Sequence, residues 1–210
     1  MTILGFGDSL TAGTPGYEPG YGGDVRSQYG FWILESARSE GITTLKFHNQ
    51  GVPGELARMM ARRLDRLLDI NDYGLVIIMA GTNDLGWGFE PVDIFESLKK
   101  LWEKSTKREI TTIACTIPPI GMRVPHHQML QQELNNRILG EACRLPLILV
   151  ADVFSALSDG RGRADAGQCC DSRDCSTFSG EAGDPVLVCG PDVQRPSRPG
   201  GDPGGGGRGY

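Results

Sequence analysis

Histidine is scarce in this chain. Only His48, His126 and His127 occur in 210 residues, and none follows position 127. The six cysteines do not replace them as metal ligands. Cys169 and Cys170 are adjacent, without the gap of a zinc-binding pair, and no histidine accompanies Cys175 or Cys189. No metal site is expected, and the thiols read as free, with disulfides inside the C-terminal region as the alternative. Basic charge is not in excess: 21 Lys and Arg stand against 26 Asp and Glu, for a net charge of −5. That gives no basis for nucleic-acid binding through a basic face. No apolar run approaches the ~20 residues of a membrane helix. The first strand pattern begins within a few residues of Met1, which leaves no room for a signal peptide. A cytoplasmic protein is expected, or a secreted one if the sequence is a mature form. The glycine-bearing stretch from Gly7 to Gly16 lacks the lysine and spacing of a phosphate loop and shows no dinucleotide fingerprint. No cofactor is expected.

What the chain does have is a pattern over its first three quarters. Hydrophobic content of 39% and charged content of 22% fit one globular domain with a sizeable core. Thr2-Ile3-Leu4-Gly5-Phe6 reads as a strand. A long Gly-, Pro- and Tyr-rich loop follows to Gly30, and Phe31 to Arg38 reads as a short helix stopped by Gly41. Thr43 to His48 has strand character and ends in a turn signal, Asn49-Gln50-Gly51-Val52-Pro53-Gly54. Leu56, Met60, Leu64, Leu67 and Leu68 recur at helical spacing. Leu75 to Met79 is a continuous apolar run of the kind buried on both faces of a parallel sheet. Pro91 opens a helix whose inner stripe is Ile94, Phe95, Leu98, Leu101 and Trp102. Ile110 to Cys115 and Leu147 to Val150 are the fourth and fifth strands, with a helix from His127 to Cys143 between them. Five strands alternating with four helices predict an α/β fold, a doubly wound parallel sheet of order 2-1-3-4-5.

In such a sheet, the loops after the strands' C-terminal ends gather at one edge, where ligands bind. Ser9 follows strand one in the turn Gly7-Asp8-Ser9-Leu10. Asn49 and Gly51 follow strand two, and Asn83 and Asp84 follow strand three. Acyl transfer needs a nucleophile and donors aimed at the developing oxyanion. Ser9 can attack a carbonyl, while the N–H of Ser9, the N–H of Gly51 and the Asn83 amide can hold the oxyanion. Asp8 and Asp84 read as turn-fixing residues rather than bases. Taken singly, each segment reads as an ordinary turn or cap. Their order and placement carry the signal.

Gly7-Asp8-Ser9-Leu10, Asn49-x-Gly51 and Gly81-x-Asn83-Asp84 resemble the first three sequence blocks of the GDSL/SGNH hydrolase family. The resemblance covers residues 1–157. It implies a flavodoxin-like three-layer α/β/α sandwich and cofactor-free esterase or lipase activity on small-molecule esters, acyl or acetylated carbohydrate. It also implies Ser9 as nucleophile and oxyanion donor, with Gly51 and Asn83 as the other donors. The substrate itself is not legible. Tyr17, Tyr21, Trp87 and Phe89 lie in loops at the expected edge, where they line a pocket or pack on one another.

The family's fourth block, an Asp-x-x-His after strand five, is missing, and so is its closing helix. The residues three before the histidines are Leu45, Arg123 and Val124. From about Ser158 the periodicity stops, and Gly, Pro, Arg, Asp and Ser dominate. Residues 158–210 therefore read as a disordered tail. Three accounts fit: a frame slip or altered splice near residue 160, a substitute base from His126 or His127, or a binding protein of the same fold with little catalysis. Part of one sheet face is expected to lie open where the closing helix would pack.

Overall fold

The computed structural model describes residues 1–119, 125–142 and 144–158, and the backbone of 175–179 and 185–189. Five parallel strands form the centre: β1 (Thr2–Gly7), β4 (Lys46–Gly51), β5 (Leu75–Met79), β6 (Thr111–Cys115) and β7 (Ile148–Ala151). They lie in the order β4-β1-β5-β6-β7. A separate two-stranded antiparallel ribbon, β2 (Tyr17–Glu18) with β3 (Gly22–Gly23), sits in the loop after β1. The helices are α1 (Ser9–Ala12), α2 (Tyr29–Ser39), α3 (Ala61–Ile70), α4 (Thr82–Gly86), α5 (Pro91–Thr106), α6 (Pro125–Arg137) and α7 (Val153–Leu157). Among the described residues, no helix is long and apolar enough to cross a membrane.

Alternation along the strands sorts the core into two layers. Leu4, Phe6, Val76, Ile78, Ala114, Ile148 and Val150 face one side, where Leu64, Phe95, Leu98, Trp102 and Leu134 of the helices cover them. Trp102, Phe6 and Phe95 are fully buried there, each contributing roughly 1.5–3 kcal/mol or more by its transfer from water. Ile3, Ile77, Met79 and Cys115 face the other side, against Tyr29 and Ile33 of α2. That layer is thinner, and Leu75, Ile113 and Ala151 on it are only half-buried. Among the described residues, the only helix after β7 is the five-residue α7. Burial pushes the free Cys115 thiol up to about 12.

The second parallel strand lies further along than its composition suggests. It spans Lys46–Gly51, so Asn49, Gln50 and Gly51 are strand residues paired with Gly5, Phe6 and Gly7. Gly51 is required for packing here, not for turning. A Cβ on it would lie 2.1 Å from the Ala12 nitrogen, so only glycine lets β4 pass against α1. The turn itself comes later, with Gly54 at φ 78°.

Two further strands are described in the C-terminal region. Pro185–Cys189 is strand β9, antiparallel to β7 through Val150↔Cys189 and Ala151↔Val188. Cys175–Ser179 is strand β8, antiparallel to β9, with Cys175 opposite Cys189. An apolar, β-branched run thus pairs with the last two residues of the β7 edge. The rest of the expected tail lies outside the described residues.

Candidate active site

Ser9 is the first residue of α1, directly after β1, and is partly exposed. Asp8 is the N-cap, its Oδ1 accepting from the Leu10 N–H at 3.0 Å. The N–H groups of Gly13 and Thr14 close the helix by donating to the Ser9 carbonyl at 2.9 and 3.1 Å. Gly7 lets β1 and β5 close up at this point, because a Cβ there would lie 2.1 Å from the Met79 carbonyl oxygen. The serine is thus held by backbone on both sides. Its own N–H makes no hydrogen bond among the described residues.

Asp8 is 1% exposed. Its Oδ2 has no partner among the described residues. Desolvation raises its pKa to about 6, the Leu10 N–H opposes this, and the nearby Asp84 and Glu55 carboxylates add to it. Asp84 is also buried, and its Oδ2 accepts from the Ala57 N–H at 2.9 Å. Desolvation raises its pKa as well. Both aspartates accept a hydrogen bond from a backbone N–H.

Asn49 ties β4 to α1, donating through Nδ2 to the Thr11 carbonyl at 2.7 Å. Its Oδ1 accepts the Gly51 N–H at 2.9 Å. The Gly51 donor is therefore consumed inside its own segment, and Gly51 is buried. This removes the physical basis for Gly51 as an oxyanion donor. Three residues on, Gly54 is exposed, and its N–H makes no hydrogen bond among the described residues. Asn83, on α4, donates from Nδ2 to the Glu55 carbonyl at 3.1 Å and remains partly exposed. Its second amide hydrogen is left for another acceptor.

Two residues of this neighbourhood escape the sequence reading: Arg63 and Glu55. Arg63 Nε lies 3.1 Å from Glu55 Oε2, and Nη2 pairs with the same carboxylate. Nη1 donates to the Gln50 carbonyl at 2.8 Å, and the guanidinium lies 4.1 Å over the Phe6 ring. The sequence signal is available in hindsight. Arg63 sits three residues after Met60 and four before Leu67, where the spacing of α3 calls for an apolar side chain.

The histidines are accounted for separately. His48 lies in β4 with Nδ1 2.5 Å from the Tyr73 hydroxyl and Nε2 2.8 Å from the Gln50 amide nitrogen. The amide donates, so Nε2 accepts and Nδ1 carries the proton. His126 and His127 open α6, with ring centroids 6.2 Å apart. The parallel topology puts that helix start at the same sheet edge as Ser9. Among the described residues, no hydrogen bond joins the Ser9 hydroxyl to a histidine. Asp152, after β7, is a structural cap: its Oδ1 accepts from Thr116 Oγ1 at 3.0 Å and from the Ser155 N–H at 3.1 Å.

The loop aromatics do not form a closed pocket. Tyr21 and Trp87 are 95% and 76% exposed. Phe89 lies beneath the Arg58 guanidinium, 4.1 Å from its ring centroid. An open depression of about 650 Å³ lies between Tyr73 and Arg108, at the opposite edge of the sheet. Its Arg108 is already paired with Asp69 at 2.6 Å. Among the described residues, no cluster of His, Cys, Asp and Glu could hold a metal ion.

The model of one family, described as the GDSL-like Lipase/Acylhydrolase family, matches residues 6–172. Among solved structures, AlinE4, described as an SGNH-hydrolase family esterase, is 30% identical over 66% of this chain and 68% of its own, with a TM-score of 0.51. The psychrotrophic esterase EstA from Pseudoalteromonas sp. is 24% identical over 65% and 71%, with a TM-score of 0.51. A lipolytic G-D-S-L family protein from Veillonella parvula shares the fold, at 24% identity over 75% and 80% and a TM-score of 0.59. No curated protein matches the chain.

Proposed function

The chain belongs to the GDSL-like lipase/acylhydrolase family, and from that membership we propose that it hydrolyses small-molecule carboxylic esters through an acyl-Ser9 intermediate. Ser9 Oγ attacks the ester carbonyl carbon, the new Oγ–C bond forms, and the hydroxyl proton passes to a base. The tetrahedral oxyanion is held by the Ser9 N–H, the free amide hydrogen of Asn83 and the N–H of Gly54, which takes the part expected of Gly51. Collapse expels the alcohol, and water then cleaves the acyl-serine. The observation that carries this reading is the placement of Ser9 at the start of α1, its N–H unpaired, on the same sheet edge as Asn83.

The base is the weak element of this site. The sequence has no Asp-x-x-His block, and His48 is held by Tyr73 and Gln50. The proposed enzyme is therefore slow, with water or hydroxide accepting the Ser9 proton. Loss of a triad member leaves on the order of 10³–10⁴-fold catalysis over water from the oxyanion hole and binding. That same gap favours a second reading, an ester-binding protein of this fold that does not turn over.

A chromogenic short-chain ester separates the two. The full chain and its Ser9→Ala variant are compared under identical conditions. A rate lost with Ser9 supports the hydrolase, and equal rates in both overturn it.

A further inference from the structure

We propose that Arg63 is the positioning residue of this site, a single guanidinium that clamps together the three chain segments carrying Ser9, Gly54 and Asn83. This rests on the hydrolase reading for its kinetic test, but the geometry stands by itself. Nη2 lies 3.4 Å from the Gly7 carbonyl oxygen, one residue before the Asp8 cap and two before Ser9. Nη1 donates at 2.8 Å to the Gln50 carbonyl, at the end of β4, where the chain turns into the Gly54 loop. Nε and Nη2 hold the Glu55 carboxylate, and the Glu55 carbonyl in turn accepts from Asn83 Nδ2 at 3.1 Å. The Arg63 side chain is 23% exposed and that of Glu55 14%, so the pair is largely shielded from water.

An arginine suits this task and a lysine does not. The planar fork offers donors in fixed directions, so one side chain reaches two carbonyls and a carboxylate together. Phe6 beneath the guanidinium fixes its plane. The Gly7 carbonyl ends β1, and the Gln50 carbonyl lies one residue before the end of β4, so Arg63 ties together two neighbouring strand ends. The Gly7 carbonyl also accepts the Val52 N–H at 3.0 Å, so releasing Arg63 loosens the link between the Ser9 turn and the Gly54 loop. Arg63 touches no substrate. It acts by setting the distance from Ser9 Oγ to the donors opposite.

The test uses the full chain with Arg63→Lys and Arg63→Met. Steady-state turnover of the chromogenic ester, after subtraction of the Ser9→Ala rate, is read beside thermal unfolding. A misplacement of about 1 Å is worth about 100-fold in rate, so kcat should fall by roughly that factor in both variants, with KM within about threefold of wild type. Arg63→Lys keeps the charge beside Glu55, so its melting temperature should stay near wild type while kcat does not recover. Full recovery of kcat in Arg63→Lys, or unchanged kcat with a lowered melting temperature, overturns the proposal. Absence of Ser9-dependent turnover in the wild type overturns the hydrolase reading alone. Amide hydrogen exchange then decides on Arg63. In Arg63→Met the Val52 N–H should exchange about tenfold faster or more, while the remote Thr112 N–H, bonded to the Leu147 carbonyl at 2.8 Å, should not change. Equal acceleration at both sites, or none at Val52, overturns the clamp.

Discussion

The N–H of Gly51 donates to Asn49 Oδ1 at 2.9 Å, so the last donor of β4 is spent within its own strand end. The two glycines of this loop are thereby assigned opposite tasks. Gly51 is needed because a Cβ would lie 2.1 Å from the Ala12 nitrogen. Gly54 has open space around it and is needed for its φ of 78°. Gly51→Ala should cost about 3 kcal/mol or more, since the overlap is with backbone. Gly54→Ala should cost about 1–2 kcal/mol, the strain of a left-handed alanine. Urea denaturation of both variants checks the order, and a lower midpoint for Gly54→Ala would contradict the assignment.

Asn83 offers one amide hydrogen to the Glu55 carbonyl and keeps the other for a ligand. Asn83→Ala should reduce Ser9-dependent turnover by about 10²–10³-fold, the usual loss for one oxyanion donor. Stability should fall by only about 0.5–1.5 kcal/mol, the worth of the one bond removed. Turnover rates and melting curves measured together separate the two effects. A loss of stability without loss of turnover would make Asn83 a loop fastener only.

Asp8 makes the fold sensitive to pH in a defined direction. Its pKa is about 6 in the folded chain against 3.8 for the free side chain. The folded state thus holds a proton that the unfolded state has released between those values. The contribution is fully present below about pH 4 and is lost as pH rises through 6. Asp8→Asn retains an oxygen to accept the Leu10 N–H and has nothing to ionise. The variant should therefore gain on the wild type as pH rises from 4 to 7, by up to about 3 kcal/mol. Parallel denaturation curves for the two chains across this range would refute the prediction.

No described histidine is bonded to the Ser9 hydroxyl, and free imidazole should therefore substitute for the missing base. Turnover corrected for the Ser9→Ala background should rise about tenfold or more in imidazole buffer relative to a non-nucleophilic buffer at equal pH. The double variant His126→Ala, His127→Ala should turn over within about twofold of wild type, because neither side chain is hydrogen-bonded to the Ser9 hydroxyl among the described residues. A large loss in the double variant would make one of these histidines the base.

The parts of the fold that were legible in the sequence are those written in continuous local patterns. Leu75–Met79 reads as a doubly buried strand because every residue is apolar, and Ile94 to Trp102 repeats at helical spacing. The placement of Ser9 and Asn83 at strand ends follows from that alternation. Gly51 reads as a turn residue in the sequence because glycine and asparagine signal turns locally, whereas in the structure they serve a close approach to α1. Arg63 was overlooked for a related reason. Within α3 it reads as one more solvated arginine, and its partners Gly7, Gln50 and Glu55 lie 56, 13 and 8 residues away. The strand at Pro185–Cys189 depends on an open edge at β7, which its own composition does not disclose.

The two faces of the sheet are unequally defended. On the side of Leu64, Phe95 and Trp102, several helices must separate before water reaches the strands. On the side of Ile3, Ile77 and Met79, α2 is the main shield among the described residues, and Leu75, Ile113 and Ala151 are only half-buried. Local opening is therefore expected to start on that side, with α2 separating from β4 before the opposite layer opens. Such a half-opened molecule would bare apolar strands, and loss of this protein in a cell would then be governed by self-association and chaperone capture of that species.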